Sequence, residues 1–129
     1  MATAEGALRA GVHSALSADG TLSGNVYQYQ APEKSSFPYV VISTVTEVPF
    51  NHFAKIGKDC TVLVDVYSEQ LETAQVYTWA GLVDDQLDYG SLTVSGYTHI
   101  STTLIGSDTL TEENYARVLR RYRVLLEEV

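Results

Sequence analysis

The feature that most constrains this chain is an alternating ten-residue stretch with one plainly apolar face, Leu63 and Tyr67 standing with the polar residues on the other. In Lys58-Asp59-Cys60-Thr61-Val62-Leu63-Val64-Asp65-Val66-Tyr67, the positions Cys60, Val62, Val64 and Val66 form one apolar face. A period of two places successive side chains on opposite sides of a pleated strand, so this segment needs a sheet with one covered face. Tyr39-Val40-Val41-Ile42-Ser43-Thr44-Val45-Thr46 makes the same demand, since seven of its eight residues are β-branched or aromatic. Pro38 stands just before this strand, where a missing N–H removes no ladder bond, and Pro49 is expected to end the run. Shorter strands are expected at Val26–Tyr29, with Tyr27 and Tyr29 on one face, at Leu92–Val94, and at Tyr97–Ile105 beyond a Ser95-Gly96 turn.

Two segments carry helical spacing instead. Between Ala4 and Ala18, Leu8, Val12, Ala15 and Leu16 fall on one stripe, with Thr3 as the expected N-cap and Asp19-Gly20 as the stop. Gly6 and Gly11 each weaken that helix by about 1 kcal/mol relative to Ala, so packing must hold it. A second helix is expected from Ser68 or Glu69 to about Leu87, burying Leu71, Ala74, Val76, Tyr77, Ala80, Val83 and Leu87. Its C-terminal acids Asp84, Asp85 and Asp88 oppose the helix dipole. The tail fits both periods. Tyr115, Val118, Leu119, Tyr122, Leu125, Leu126 and Val129 suit a helix, whereas Val118, Arg120, Tyr122, Val124 and Leu126 suit a strand; on pattern alone the helix is favoured.

With 129 residues, 45% hydrophobic and 19% charged, the chain has the composition of one globular domain, residues 1–129, that needs no disulfide or metal to build a core. Eight basic residues against sixteen acidic ones give a net charge of −8, the wrong sign for a grip on DNA phosphates. The N-terminal residues show no signal-peptide pattern, and no apolar run has the length of a membrane span.

Catalytic signals are missing. His13, His52 and His99 lie on separate elements without metal-ligand spacing, and Cys60 alternates with valines as a small buried hydrophobe does. There is no Gly-x-Ser-x-Gly elbow and no phosphate-binding glycine loop. No catalytic, cofactor or metal residue is expected. A Cys60–His52 or Cys60–His99 dyad stands as the enzyme alternative. Two surface features point to partners. Phe50 and Phe53 flank His52 in a polar connection, an unusual place for large apolar side chains. Arg117, Arg120, Arg121 and Arg123 hold half of all basic residues within seven positions. They suit contacts with acids of another subunit, such as Asp84, Asp85, Asp88, Glu112 or Glu113. The alternatives are pairing within the chain and nucleic-acid binding.

The order of these features resembles the tail-terminator, or tail-completion, proteins of long-tailed bacteriophages. The resemblance rests on a short N-terminal helix, the Phe37-Pro38-Tyr39-Val40-Val41-Ile42 strand, the Lys58–Ser68 strand running on toward a helix, and the closing Arg121-Tyr122-Arg123-Val124-Leu125-Leu126-Glu127. It covers about residues 5–128, although the segment 47–57 has no fixed counterpart in the family pattern. It implies an α+β fold, a mainly antiparallel mixed β-sheet with two helices packed on it. It turns residues 117–127 from helix to strand, with Tyr122, Val124 and Leu126 inward and Arg121 and Arg123 on the other face. It also implies a structural virion protein without catalytic residues or cofactors. Such a protein forms a hexameric ring at the head-proximal end of the tail, caps the tail tube, and meets a head-completion or connector protein. Assembly takes place in the host cytoplasm, and DNA passes through the channel without specific binding. Another head–tail connector ring protein is the near alternative, and a small cytosolic binding protein the distant one. A globule of this length is about 36 Å across, so six in a ring leave an opening wide enough for duplex DNA.

Overall fold

The computed structural model describes residues 4–29, 37–51, 55–69, 73–111 and 115–129. In chain order its elements are α1 (Glu5–Ser17), β1 (Val26–Gln28), β2 (Tyr39–Pro49), β3 (Gly57–Glu69), α2 (Thr73–Leu87), β4 (Tyr97–Thr111) and β5 (Tyr115–Glu128). The five strands form one sheet in the order β1-β2-β3-β5-β4; β1 runs parallel to β2 and every other neighbour is antiparallel. This is the expected α+β class, with both helices laid on one face.

Alternation decides which face is covered. Cys60, Val62, Val64 and Val66 of β3 and Val118, Tyr122, Val124 and Leu126 of β5 are all fully buried. They meet Leu8, Val12 and Leu16 of α1 and Val76, Trp79, Ala80, Val83 and Leu87 of α2 in one apolar cluster. The tail is therefore a strand. Its helical spacing is overridden because β5 lies between β3 and β4, and both of its edges are hydrogen-bonded over their length.

Several boundaries differ from the sequence expectation. Ser68 and Glu69 do not open the second helix; they extend β3, paired with Ala116 and Tyr115. Pro49 closes β2 from inside the ladder, opposite Lys58, and β4 continues six residues past Ile105. Leu92–Val94 forms no strand and contributes one bridge, Val94 to Tyr97, around the turn at Gly96 with φ +85°. In α2, Tyr77 is 55% exposed and Ala74 is exposed, while Trp79 takes a buried place that the stripe omitted. Leu71 and Thr3 lie outside the described residues. The N-cap position of α1 falls on Ala4, whose N–H donates to the Glu47 carboxylate at 3.0 Å. At the other end Gly20 is not left-handed; the Asp19 Oδ1 accepts the N–H groups of Thr21 and Leu22, at 2.8 and 3.1 Å, and turns the chain.

Of the three register shifts in the sheet, at Ile42/Thr44, His99/Ser101 and Leu104/Gly106, the first and last are each held by a side chain from the helical layer. At Ile42/Thr44 in β2, Arg9 of α1, only 7% exposed, donates to the carbonyls of Ile42 and Ser43. At Leu104/Gly106 in β4, Asp88 just beyond α2 accepts the Leu104 N–H at 2.9 Å. Such clamps keep backbone groups paired where the ladder skips a residue.

Gly11 is where α1 comes closest to the chain after α2. A Cβ there would stand 2.5 Å from the Thr93 carbonyl oxygen. Replacing Gly11 by Ala gains about 1 kcal/mol of helix propensity, but the overlap with backbone costs about 1–3 kcal/mol. Gly11→Ala is expected to lower the urea unfolding midpoint, whereas Gly6→Ala, which meets nothing within 4 Å, should raise it.

Candidate functional site

The sheet face opposite the helices has no helix or strand over it among the described residues. Its character changes along the strands. At the end where β2 begins and β3 finishes, Tyr39, Tyr67 and Tyr115 pack together, with ring centroids 5.0 Å apart for Tyr39–Tyr67 and 5.5 Å for Tyr67–Tyr115. Phe37 stacks on Tyr39 at 5.3 Å, and Tyr27 meets Tyr39 edge-on at 6.1 Å. Alternation places these rings together: Tyr39 faces Tyr67 across one ladder, Tyr115 faces Glu69 across the next, and Tyr67 and Glu69 share a face. Tyr29 has left the strand at φ 70° and lies under the Arg9 guanidinium, 3.9 Å from ring centroid to Cζ. It therefore does not continue the face of Tyr27 as a regular strand would.

These rings surround a cup of about 260 Å³ lined by Tyr29, Tyr39, Val41, Ser43, Asp65, Tyr67 and Tyr115. Asp65 is 1% exposed, and its Oδ2 accepts a hydrogen bond from Arg117 at 2.9 Å. Its Oδ1 is buried and accepts no hydrogen bond. Burial raises the Asp65 pKa above the usual carboxylate value of 3.8, and the Arg117 charge opposes that rise. Burial also pushes the Tyr67 hydroxyl up to about 12, so that phenol is neutral near neutral pH.

The remaining arginines sort by face. Arg121 and Arg123 are on the open face as expected. Arg123 forms a two-point pair with Asp59 at 2.7 and 3.0 Å, and Arg121 approaches Asp108 at 3.7 Å. Arg120 lies on the helix side, where it donates to Asp84; Tyr122 donates to the other oxygen of the same carboxylate. Each of the four arginines thus has a carboxylate partner in its own chain. Asp84, proposed from sequence as an inter-subunit partner, ties α2 to β5 instead, while Glu112 and Glu113 lie outside the described residues. Phe50 is 37% exposed beside Val48 and Ile56, 60% and 51% exposed, at the far end of the sheet from the cup. His52 and Phe53 lie outside the described residues.

Of the polar groups considered for chemistry, Cys60, His99 and His13 lie among the described residues. Cys60 is buried, with its thiol pushed up to about 12 mainly by burial. His99 pairs with the Thr102 hydroxyl at 2.6 Å, and burial lowers its pKa. His13 lies 3.2 Å from the Val26 carbonyl. Among the described residues no group of three or more His, Cys, Asp or Glu side chains could hold a metal ion, and no helix is long and apolar enough to cross a membrane. The tyrosine cup itself went unread in the sequence. Its signal was the run of tyrosines at 39, 67 and 115, each at the cup end of its strand.

Fold and surface together define a small α+β module whose specific features are packing and ion pairing. The sequence pattern of the family "Tail completion protein gp17" matches residues 7–127, and the chain belongs to that family, making it a structural protein of phage tails. The fold is also similar to a chain in a solved structure titled "Virion of native gene transfer agent (GTA) particle". That match has a TM-score of 0.87 and 20% identity over 98% of this chain and 99% of that one. No curated protein sequence matches the chain.

Two outcomes test this placement of groups. Cys60 should resist thiol reagents in the folded protein and react only on denaturation, followed as mass gain with and without urea. For Asp65, a folded pKa above the unfolded value means that the native state holds the extra proton. Its contribution to stability is therefore present at low pH and is lost as pH rises from about 4 through the folded pKa. Wild-type stability should fall relative to that of Asp65→Asn as pH is raised over this window. A difference independent of pH in urea titrations would contradict the raised value.

Proposed function

We propose that the chain is the tail terminator: a homo-hexameric ring that caps the tail tube at its head-proximal end and offers the surface to which the filled head attaches. The observation that carries this reading is the family match over residues 7–127. A ring built from one kind of subunit uses heterologous contacts, in which one surface meets a different one on its neighbour. The sheet supplies such a pair of unlike ends, tyrosine-rich at one and apolar at the other. Phe50, with His52 and Phe53, and the outward-facing Arg121 and Arg123 are the docking residues in this reading. The tube protein lies on one side of the ring, the head-completion protein lies on the other, and DNA passes through without specific contacts. Subunits are expected to be monomeric in dilute solution and to gather on the tube end, which lowers the cost of association.

Particles made without this chain should show filled heads separate from tails, and tubes of variable length, in electron micrographs. Heads still joined to tubes of normal length would overturn the reading, and a ring found on heads rather than tails would mark a connector protein instead. Arg121→Glu with Arg123→Glu should leave the monomer folded, since solvent screens ion pairs at such surface positions, and should reduce ring assembly. Normal assembly of that variant would remove the two arginines from the contact.

A further inference from the structure

One edge of the sheet is left unguarded. β4 is the last strand in the order β1-β2-β3-β5-β4. Over its first half the segment after α2 covers its outer side: Asp88 accepts the Leu104 N–H, and Tyr89 donates its N–H to the Thr102 carbonyl at 2.8 Å. From Ile105 to Thr111 no backbone partner stands beyond β4 among the described residues. An open strand edge invites pairing with another chain, and proteins guard such edges with Lys, Pro or a very short strand. This stretch has no Lys and no Pro, and its one acid, Asp108, reaches back to Arg121 at 3.7 Å. Apolar side chains gather on the same side. Of the ten large apolar side chains exposed among the described residues, Ile100, Ile105 and Leu110 belong to β4, and Tyr77 and Tyr89 hydrogen-bond to it. Half of the exposed apolar groups thus follow one edge, as on a surface that a partner covers.

The opposite edge fits it. Val26, Tyr27 and Gln28 of β1 stand in the same three rows of the sheet as Thr109, Asp108 and Ser107, counted through β2, β3 and β5. The backbone groups in these rows match as well. Val40 donates to the Asn25 carbonyl and Ile42 accepts from the Tyr29 N–H, so Val40 and Ile42 point at β1 and away from β3. In an antiparallel ladder, opposed residues point either toward each other or both away. Carried across the rows, Val66 and Val64 point at β5, Val118 and Arg120 point back at β3, and Thr109 and Ser107 point outward. On β1, Asn25 and Tyr29 bond to β2, so Val26 and Gln28 turn outward too; the Val26 carbonyl lies 3.2 Å from His13. Direction completes the match, because β1 and β4 run opposite ways. A turn about an axis along the strands preserves direction and height. It brings β4 of one copy antiparallel to β1 of the next, with outward groups facing.

We propose that Ser107–Thr109 on the β4 edge pairs with Val26–Gln28 on the β1 edge of a second copy of this chain, Ser107 opposite Gln28, so that one sheet continues from subunit to subunit. The inference rests on the ring reading and adds the two edges of the sheet to its unlike ends: a heterologous junction that closes after six equal turns. Three paired residues bury far less than the roughly 1,600 Å² of a stable interface. The junction therefore forms where the tube end gathers the subunits, and not in dilute solution.

The test is a disulfide in assembled particles carrying Tyr27→Cys and Asp108→Cys on the same chain, oxidised mildly and run on a non-reducing gel. Across the junction these positions form a non-hydrogen-bonded pair with Cα atoms about 4.5 Å apart, within reach of a disulfide. Within one chain four strand spacings, about 19 Å, separate them, and buried Cys60 adds no background. A reducible ladder rising to the hexamer is expected. Rings without a ladder would overturn the junction and leave the ring reading standing, and a cross-link from Asp108→Cys to a different protein would overturn it in favour of that partner. Absence of any ring in wild-type particles would defeat the ring reading itself. If the double variant does not enter particles, purified Tyr27→Cys and Asp108→Cys chains are mixed at high concentration. Their mixed dimer should exceed that of a control pair, Tyr27→Cys with Thr98→Cys, and equal yields would overturn the junction. Thr109→Pro removes an outward N–H and no bond of the β5 ladder, so the monomer should keep its circular dichroism while assembled ring falls about tenfold. Thr109→Val should assemble close to wild type, and equal assembly by the two variants would overturn the pairing.

Discussion

The pairing of β3 with β5 is the interaction on which everything else in this molecule depends. It runs in continuous antiparallel register from Gly57 opposite Glu127 to Glu69 opposite Tyr115. On the face under the helices, the pairs Cys60 with Val124, Val62 with Tyr122, Val66 with Val118 and Ser68 with Ala116 are buried. Because a side chain changes face with each residue, a slip of one position would put Tyr122 and Val124 in solvent and Arg121 and Arg123 in the core. The ion pairs fix the same register from the other side. Arg123 reaches Asp59, and Arg117 reaches Asp65, diagonally across this one ladder. Burial on one face and charge on the other select a single alignment. Their joint effect is greater than either alone, because the wrong register loses both.

That coupling explains how much of the fold was legible. The strands at 39–46 and 58–67 announce themselves because one of their faces is apolar and the other is not. The tail is harder, since Arg120 sits at an inward position of β5 and breaks the apolar alternation, while Leu119 and Leu125 sit at outward ones. Its spacing therefore counts nearly as well for a helix. The position of Arg120 makes sense only with α2 in place, where Asp84 receives both it and Tyr122. A carboxylate that looks unfavourable at a helix end becomes the link between that helix and the sheet. No local pattern contains this information, because the three residues lie on elements far apart in sequence.

The cup was illegible for the same reason. Tyr39, Tyr67 and Tyr115 each read as an ordinary strand residue, and only the order β2-β3-β5 brings their rings together. Asp65 likewise reads as the polar half of an alternating strand, yet it is among the least exposed charged groups in the molecule. Arg9 shows a related effect. This charged residue of α1 turns inward to the carbonyls at the β2 bulge, and its charged end covers Tyr29. Bulge, cation and aromatic ring form one local solution, which links the conformation of β2 to the shape of the cup.

Charge follows from these placements. The described lysines and the four clustered arginines each have a carboxylate within 4 Å, at Glu127, Glu47, Asp65, Asp84, Asp108 and Asp59. Each pair is neutral, so the net charge of −8 is that of the ten other acids set against Arg9 and Lys34. Binding to nucleic acid draws its strength from cations that replace the counterions of phosphates. Cations already paired to carboxylates are poorly placed for that exchange. The arginine cluster, read alone, suggests a phosphate grip, but its geometry directs the same residues to holding the sheet and its neighbours together.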